Sequence, residues 1–300
     1  MENLNKIDEI MKSFVKEFCY EKANSMFSSI SSGKKLRSKL ILKIAGVSDE
    51  SLKLCAVIEM IHAASLLHDD VIDESDTRRG KSSINATYGS KNAIMLGDIL
   101  YSKGYFELSL FDKFIARNVS AAVSLLSIGE LMDVELSKKF NSNKSLYFEM
   151  IYKKTAVLIE ASAKCAAFLK SYDVDKFAKY GRNLGIAFQI VDDILDIISN
   201  DETLGKPALS DYKDGKTTLP YIYLYENLND EDKKILLRYF KKELSSDEIL
   251  WVKDKFNEFK IIEKCVNEAK FIANEGIEAI EKYKNNELVN IMKNMVDRKF

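Results

Sequence analysis

Apolar residues return every three or four positions along almost the whole chain, and only two prolines, Pro207 and Pro220, interrupt it. That period belongs to helices with one buried stripe, whereas a half-buried strand would alternate with period two. The expected fold class is therefore all-α. The pattern runs through Leu4, Ile7, Ile10, Met11, Phe14 and Phe18, breaks at Ser31-Ser32-Gly33, and resumes without a breaker from about Ser51 through Leu54, Val57, Ile58, Ile61, Leu66 and Leu67. Further helices are expected over roughly 92–110, 114–137, 146–169 and from Val174 onward, with amphipathic, charged helices after Pro220. No short-period repeat or low-complexity linker divides the 300 residues, so a single domain over 1–300 is expected.

Inside this helical pattern lie two acidic constellations. His68-Asp69-Asp70-Val71-Ile72-Asp73 places Asp69 and Asp73 one turn apart on one helix face, and Asp192-Asp193-Ile194-Leu195-Asp196 repeats the spacing for Asp192 and Asp196. One such pattern is as readily a solvated acidic face. Two, both on apolar stretches where unpaired carboxylates are costly to desolvate, point to divalent-cation chelation. Mg²⁺ held by carboxylates commonly holds phosphate oxygens as well.

The cations fit that reading. Lys+Arg total 45 against 46 Asp+Glu, so no general polyanion binder is indicated and any anion site is local. Lys34-Lys35-Leu36-Arg37 follows the Ser-Ser-Gly break; alone it reads as an ordinary basic turn. Arg78 and Arg79 leave the first acidic helix and present fork-shaped donors that suit phosphate. His62 precedes Asp69 by about two turns and so shares its face; without that neighbour it would read as a core histidine. Lys153-Lys154-Thr155 interrupts an apolar helix, which calls for anionic partners. Gly205-Lys206-Pro207 and Gly215-Lys216 mark a cation-bearing loop behind the second acidic motif. Gly181 and Gly185, one face with Phe188 and Asp192, leave room for hydrocarbon or for another helix. The four cysteines lack paired spacing and read as buried thiols in a reducing compartment. The first 18 residues hold no apolar run long enough to span a bilayer, and a soluble, cytoplasmic protein is expected.

Taken together, Ser32-Gly33-Lys34-Lys35-Leu36-Arg37, Glu59 to Gly80, Leu96-Gly97-Asp98, Lys154-Thr155-Ala156, Phe188 to Asp196, and Gly205-Lys206 through Leu219-Pro220 resemble the trans-prenyl diphosphate synthases. The likeness is greatest to the long-chain polyprenyl members that make octaprenyl products for quinone side chains. It covers roughly 32–220, leaving 221–300 as supporting helices. The resemblance implies an isoprenoid synthase fold, a single large helical bundle around a central cavity, in a homodimer. It also implies a prenyltransferase reaction. Mg²⁺, three ions per site, helps an allylic diphosphate such as farnesyl diphosphate leave; isopentenyl diphosphate attacks; a proton is lost. By the same resemblance Asp69, Asp73, Asp192 and Asp196 belong to the metal set, with Asp70 in support. Arg78, Lys154, Lys206 and Lys216 hold the allylic diphosphate, and Lys34, Arg37, His62 and Arg79 hold isopentenyl diphosphate. Thr155 and Gln189 present oxygens to the developing cation.

The sequence departs from the family pattern at Ser32 and Leu209, where glycine is usual, at Ser38, where proline is usual, and at Asp133, where long-chain members often carry glutamine. Chain length is expected to depend on Ala64 and Ser65, about 6–8 Å below Asp69 along the helix. Both are small, where short-chain members commonly place an aromatic, so a long product passed to a membrane is expected. The alternatives are a farnesyl or geranylgeranyl diphosphate synthase, a class I terpene cyclase, and a noncatalytic partner subunit. The second acidic motif weighs against the cyclase, and the full set of charged residues weighs against the partner subunit.

Overall fold

A computed structural model describes residues 2–31, 33–198 and 209–297. The described residues form helices and one two-stranded antiparallel ribbon, Thr77–Arg78 with Lys81–Ser82. They fall into two compact units, residues 1–123 with 161–178, and residues 124–160 with 179–300.

The first unit is built around the Asp49–Ile72 helix. Ser48 caps its first turn in a reciprocal pair with Ser51. Leu54, Val57, Ile58, Met60, Ile61 and Ala64 are fully buried, because the helix is covered by Glu2–Lys16, Leu36–Ala45 and Ser90–Leu108. Each buried aliphatic side chain contributes roughly 1.5–3 kcal/mol. By length and composition this helix is apolar enough to cross a membrane, but 78% of its most apolar window is buried inside the protein. Its apolarity therefore serves the core. Lys35 is also consumed here, bonding the Leu4 carbonyl (3.2 Å) and pairing with Asp8.

Several expectations change in this unit. The N-terminal stretch is two helices, Glu2–Lys16 and Glu21–Ser29, so Phe18 lies past the first helix end and is exposed rather than part of the buried stripe. Cys19 is exposed too, while Cys55, Cys165 and Cys265 are buried thiols as expected.

The stretch expected as one helix over 146–169 is Lys144–Ile151 and Val157–Leu169 joined by a π-helical turn, Tyr152–Ala156. Asn143 caps the first of these with two backbone N–H donors. The π turn packs between glycines. A Cβ on Gly129 would lie 2.2 Å from the Lys154 backbone nitrogen, and one on Gly185 would lie 2.4 Å from Ala156 Cα. Gly185 thus serves helix approach rather than hydrocarbon. Behind the second acidic motif, Tyr212 stacks on Tyr221 at 4.1 Å, and the helices Leu219–Asn227, Ser246–Glu258, Ile261–Ala279 and Asn286–Val296 pack successively, as the charged amphipathic pattern predicts.

Candidate active site

In the first unit the chain leaves Asp49–Ile72 through the ribbon, whose connection Arg79-Gly80 has positive φ at both residues (55° and 72°). Paired positive φ is what a tight hairpin needs, and Gly80 meets it freely while Arg79 is held there against its preference. The turn sends the adjacent arginines to different partners. Arg78 Nε and a terminal nitrogen both donate to Asp70 Oδ1 at 2.6 Å, so the buried Asp70 anchors a guanidinium. Arg79 instead donates to the Ser31 carbonyl (2.7 Å). Its guanidinium occupies the space where a Cβ on Gly33 would stand, 2.7 Å away, which is why that turn carries glycine.

Arg37, His62 and Glu59 complete this group. Burial pulls the Arg37 pKa down to about 10, with Glu59 opposing, and its Nε is buried without a protein partner. His62 is held well below its ordinary 6.5, first by burial and then by Arg37, Arg79 and Arg78. It is therefore neutral at pH 7, and the positive field of the three arginines that lowers its pKa is one that suits a polyanion. Ser38 donates to Glu59 at 2.6 Å and fixes that counter-charge. Lys34 is exposed. Asp69 is partly exposed and Asp73 exposed, so both are accessible to ions. Ala64 and Ser65 are buried, and Ser65 donates back to the His62 carbonyl (2.9 Å).

The second unit holds a cavity of about 90 Å³ lined by Asp133, Tyr147, Lys154, Thr155, Gln189, Asp193, Asp211 and Lys216, among others. Lys154 binds Asp133 at 2.5 Å and Glu130 at 2.9 Å. Burial alone would lower its pKa, but the two carboxylates outweigh burial and raise it, so the ammonium is permanent. Thr155 Oγ1 donates to Gln189 Oε1 (2.8 Å), and Gln189 Nε2 donates to Asp193 Oδ1 (2.9 Å). Tyr147 donates to Asp193 Oδ2 at 2.5 Å. Burial drives the Asp193 pKa well up, Asp211 and Asp192 add to this, and the hydrogen bonds from Tyr147 and Gln189 act against it. Asp192 is partly exposed. Asp196 is buried and accepts from Ser210 Oγ (2.6 Å) and the Asp211 N–H (3.2 Å), so one of its tasks is to tie down the chain after the motif. Leu209 opens that segment at φ 63°, a left-handed conformation that suits glycine; leucine costs about 1–2 kcal/mol there. Lys206 lies outside the described residues.

Among the described residues no three acidic or histidine groups already converge as a metal cage. Oxygen-only carboxylate pairs suit Mg²⁺, which is typically bound by one or two carboxylates, water and substrate phosphates. The crowding of Asp192, Asp193 and Asp211 is the kind of mutual repulsion that a divalent cation relieves. The residues fit the ion. Sequence reasoning missed Glu59, Glu130, Tyr147 and Asp211 as site partners, and it named Asp133 and Asp193 without finding what they bind. Glu130 and Asp133 had a usable signal, since they stand three apart on a helix otherwise without charge from Val119 to Val134. Tyr147 had none.

Residues 19–256 match the polyprenyl synthetase family. An octaprenyl pyrophosphate synthase structure from Helicobacter pylori is 44% identical with a TM-score of 0.94, over 98% of each chain. A geranylgeranyl pyrophosphate synthetase from Pyrococcus horikoshii is 30% identical with a TM-score of 0.89, covering 99% of this chain and 97% of its own. A polyprenyl synthase from Caulobacter crescentus, solved with calcium and isoprenyl diphosphate, is 25% identical with a TM-score of 0.88, covering 100% and 95%. The helical fold, the arginine-lined acidic motif and these matches agree: the chain belongs to the polyprenyl synthetase family and is a prenyltransferase, a trans-prenyl diphosphate synthase.

Proposed function

We propose that residues 1–300 act as one long-chain synthase domain, condensing isopentenyl diphosphate units onto an allylic diphosphate such as farnesyl diphosphate to give an octaprenyl product for quinone side chains. The observation that carries the chain length is the pair of small buried residues, Ala64 and Ser65, on the helix below Asp69, supported by the 44% identity to an octaprenyl synthase. An aromatic side chain at either position would obstruct a growing prenyl chain after a few additions.

In this reading Asp69, Asp73, Asp192 and Asp196 hold Mg²⁺, with Asp70 acting through Arg78. What the ions supply when bound is charge neutralisation of the diphosphate that leaves. Arg78, preset by Asp70, with Lys154, Lys206 and Lys216, grips the allylic diphosphate. Arg79, Arg37, Lys34 and neutral His62 hold isopentenyl diphosphate; the depressed His62 pKa leaves that imidazole an N–H to donate and a lone pair to accept. Thr155 has committed its proton to Gln189, so its lone pairs are left for positive charge developing on the allylic carbon. The departing diphosphate takes the proton that is lost.

A homodimer in the cytoplasm, handing its product to a membrane, completes the proposal. Its motivation is apolar side chains left in water: Met95, Phe106 and Leu110 in the first unit, and Ile128, Leu131 and Val134 in the second. A twenty-carbon product is the alternative, given the similarity to the Pyrococcus enzyme. The test is chromatography of products from farnesyl and geranyl diphosphate primers with isopentenyl diphosphate, for wild type and Ala64→Phe. An octaprenyl product that shortens in the variant is expected. A wild-type product of twenty carbons, or an unshortened product from a stable variant, overturns the tunnel argument.

A further inference from the structure

We infer that Tyr147 is a positioning residue for prenyl transfer, setting the orientation of Thr155 through Asp193 and Gln189. The inference rests on the reading that the Thr155 oxygen faces the developing cation.

Four side chains from three parts of the second unit form one directed chain of hydrogen bonds. Tyr147 is fully buried on the Lys144–Ile151 helix, and its hydroxyl donates to Asp193 Oδ2 at 2.5 Å. The other oxygen of the same carboxylate accepts from Gln189 Nε2 at 2.9 Å. Gln189 is thereby left with its carbonyl facing Thr155, whose hydroxyl donates at 2.8 Å. An amide has two faces of nearly equal shape, one donating and one accepting, and only its partners choose between them. Asp193 accepts from Tyr147 on one oxygen and from Gln189 on the other, and this arrangement makes the choice.

If the amide turned over, its NH₂ would meet Thr155 and the hydroxyl proton would point away from it, toward the cavity. Thr155 would then offer positive rather than negative potential where the substrate charge develops. Tyr147 matters because it holds the carboxylate in the plane that receives Gln189; Asp193 is 3% exposed and water does not replace that bond easily. The sequence placement is apt as well. Tyr147 stands seven residues before Lys154, so the turn carrying Lys154 and Thr155 and the residue that orients Thr155 belong to one continuous segment.

The alternative is that Tyr147 only fills the core, and double-mutant kinetics separate the two. Tyr147→Phe keeps the ring and removes the donor; Thr155→Val keeps the shape and removes the hydroxyl. With full-length enzyme, farnesyl diphosphate, isopentenyl diphosphate and Mg²⁺, Tyr147→Phe is expected to lower kcat about 10-fold with both KM values unchanged. In the Thr155→Val background the same change is expected to have no further effect on kcat. Independent, multiplying losses overturn the inference, as does a Tyr147→Phe enzyme of wild-type kcat. A Thr155→Val enzyme of undiminished kcat overturns the Thr155 reading itself, which separates the two failures. Should Tyr147→Phe not fold, Asp193→Asn, which no longer dictates the amide, takes its place in the same cycle with the same expected non-additivity.

Discussion

Gly129→Ala tests whether the π turn is held in place by backbone contact. The added Cβ would lie 2.2 Å from the Lys154 nitrogen, 2.5 Å from the Lys153 carbonyl carbon and 2.7 Å from Lys154 Cα. Ordinary contact begins near 3.4 Å, so the segments must part by roughly 1 Å, and the obstructing atoms are backbone rather than flexible side-chain ends. Overpacking of this kind costs about 1–3 kcal/mol, and the helix-propensity gain of alanine over glycine returns at most about 1. The midpoint of thermal unfolding should fall by up to about 10 °C. The larger effect is on turnover: Lys154 and Thr155 ride on the displaced turn, and about 1 Å of misplacement costs on the order of 100-fold in rate. Gly104→Ala is the reference, because its Cβ would meet the Ile61 side chain at 3.2 Å and backbone only at 4.0 Å, the Val57 carbonyl oxygen. Circular dichroism melts and steady-state kinetics on both variants are the assay. A Gly129→Ala enzyme as stable and as fast as Gly104→Ala would refute the close-contact argument.

Asp69→Ala and Asp192→Ala should each lower kcat by about 1000-fold at saturating Mg²⁺ while helical content is retained; near-normal turnover in either would remove that residue from the metal set. Arg79→Ala should raise the KM for isopentenyl diphosphate by about 10-fold or more, and Arg78→Ala that for the allylic substrate, because the hairpin sends the two guanidinium groups to different partners. Equal effects of both variants on both KM values would make them one undivided patch. His62 is neutral in the fold with its pKa depressed, so below about pH 6.5 the unfolded chain binds a proton that the folded one refuses. Stability should therefore decline as pH falls below that value, by up to about 1.4 kcal/mol per unit. Urea titrations of wild type and His62→Asn between pH 7 and 5 should show the His62 share vanish in the variant, and parallel curves would contradict the assignment.

The helical class, most helix positions and both acidic motifs were legible in the sequence, because a 3.6-residue period and an i, i+4 carboxylate pair are local properties that survive without knowledge of neighbours. The conflict of charged residues with apolar surroundings at Lys154 and Asp192 was legible for the same reason. Which partner resolves each conflict was not. Lys154 meets carboxylates 21 and 24 residues earlier, and Asp193 meets a tyrosine 46 residues earlier, and no local pattern encodes those encounters. The π turn is likewise invisible in sequence, although Gly129 and Gly185 admit its backbone at a distance a Cβ would block. Arg78 and Arg79 look interchangeable as letters. The positive-φ turn between short strands, which holds Arg79 in a strained conformation, parts them locally, and only the tertiary structure gives one to Asp70 and the other to the Ser31 carbonyl 48 residues away.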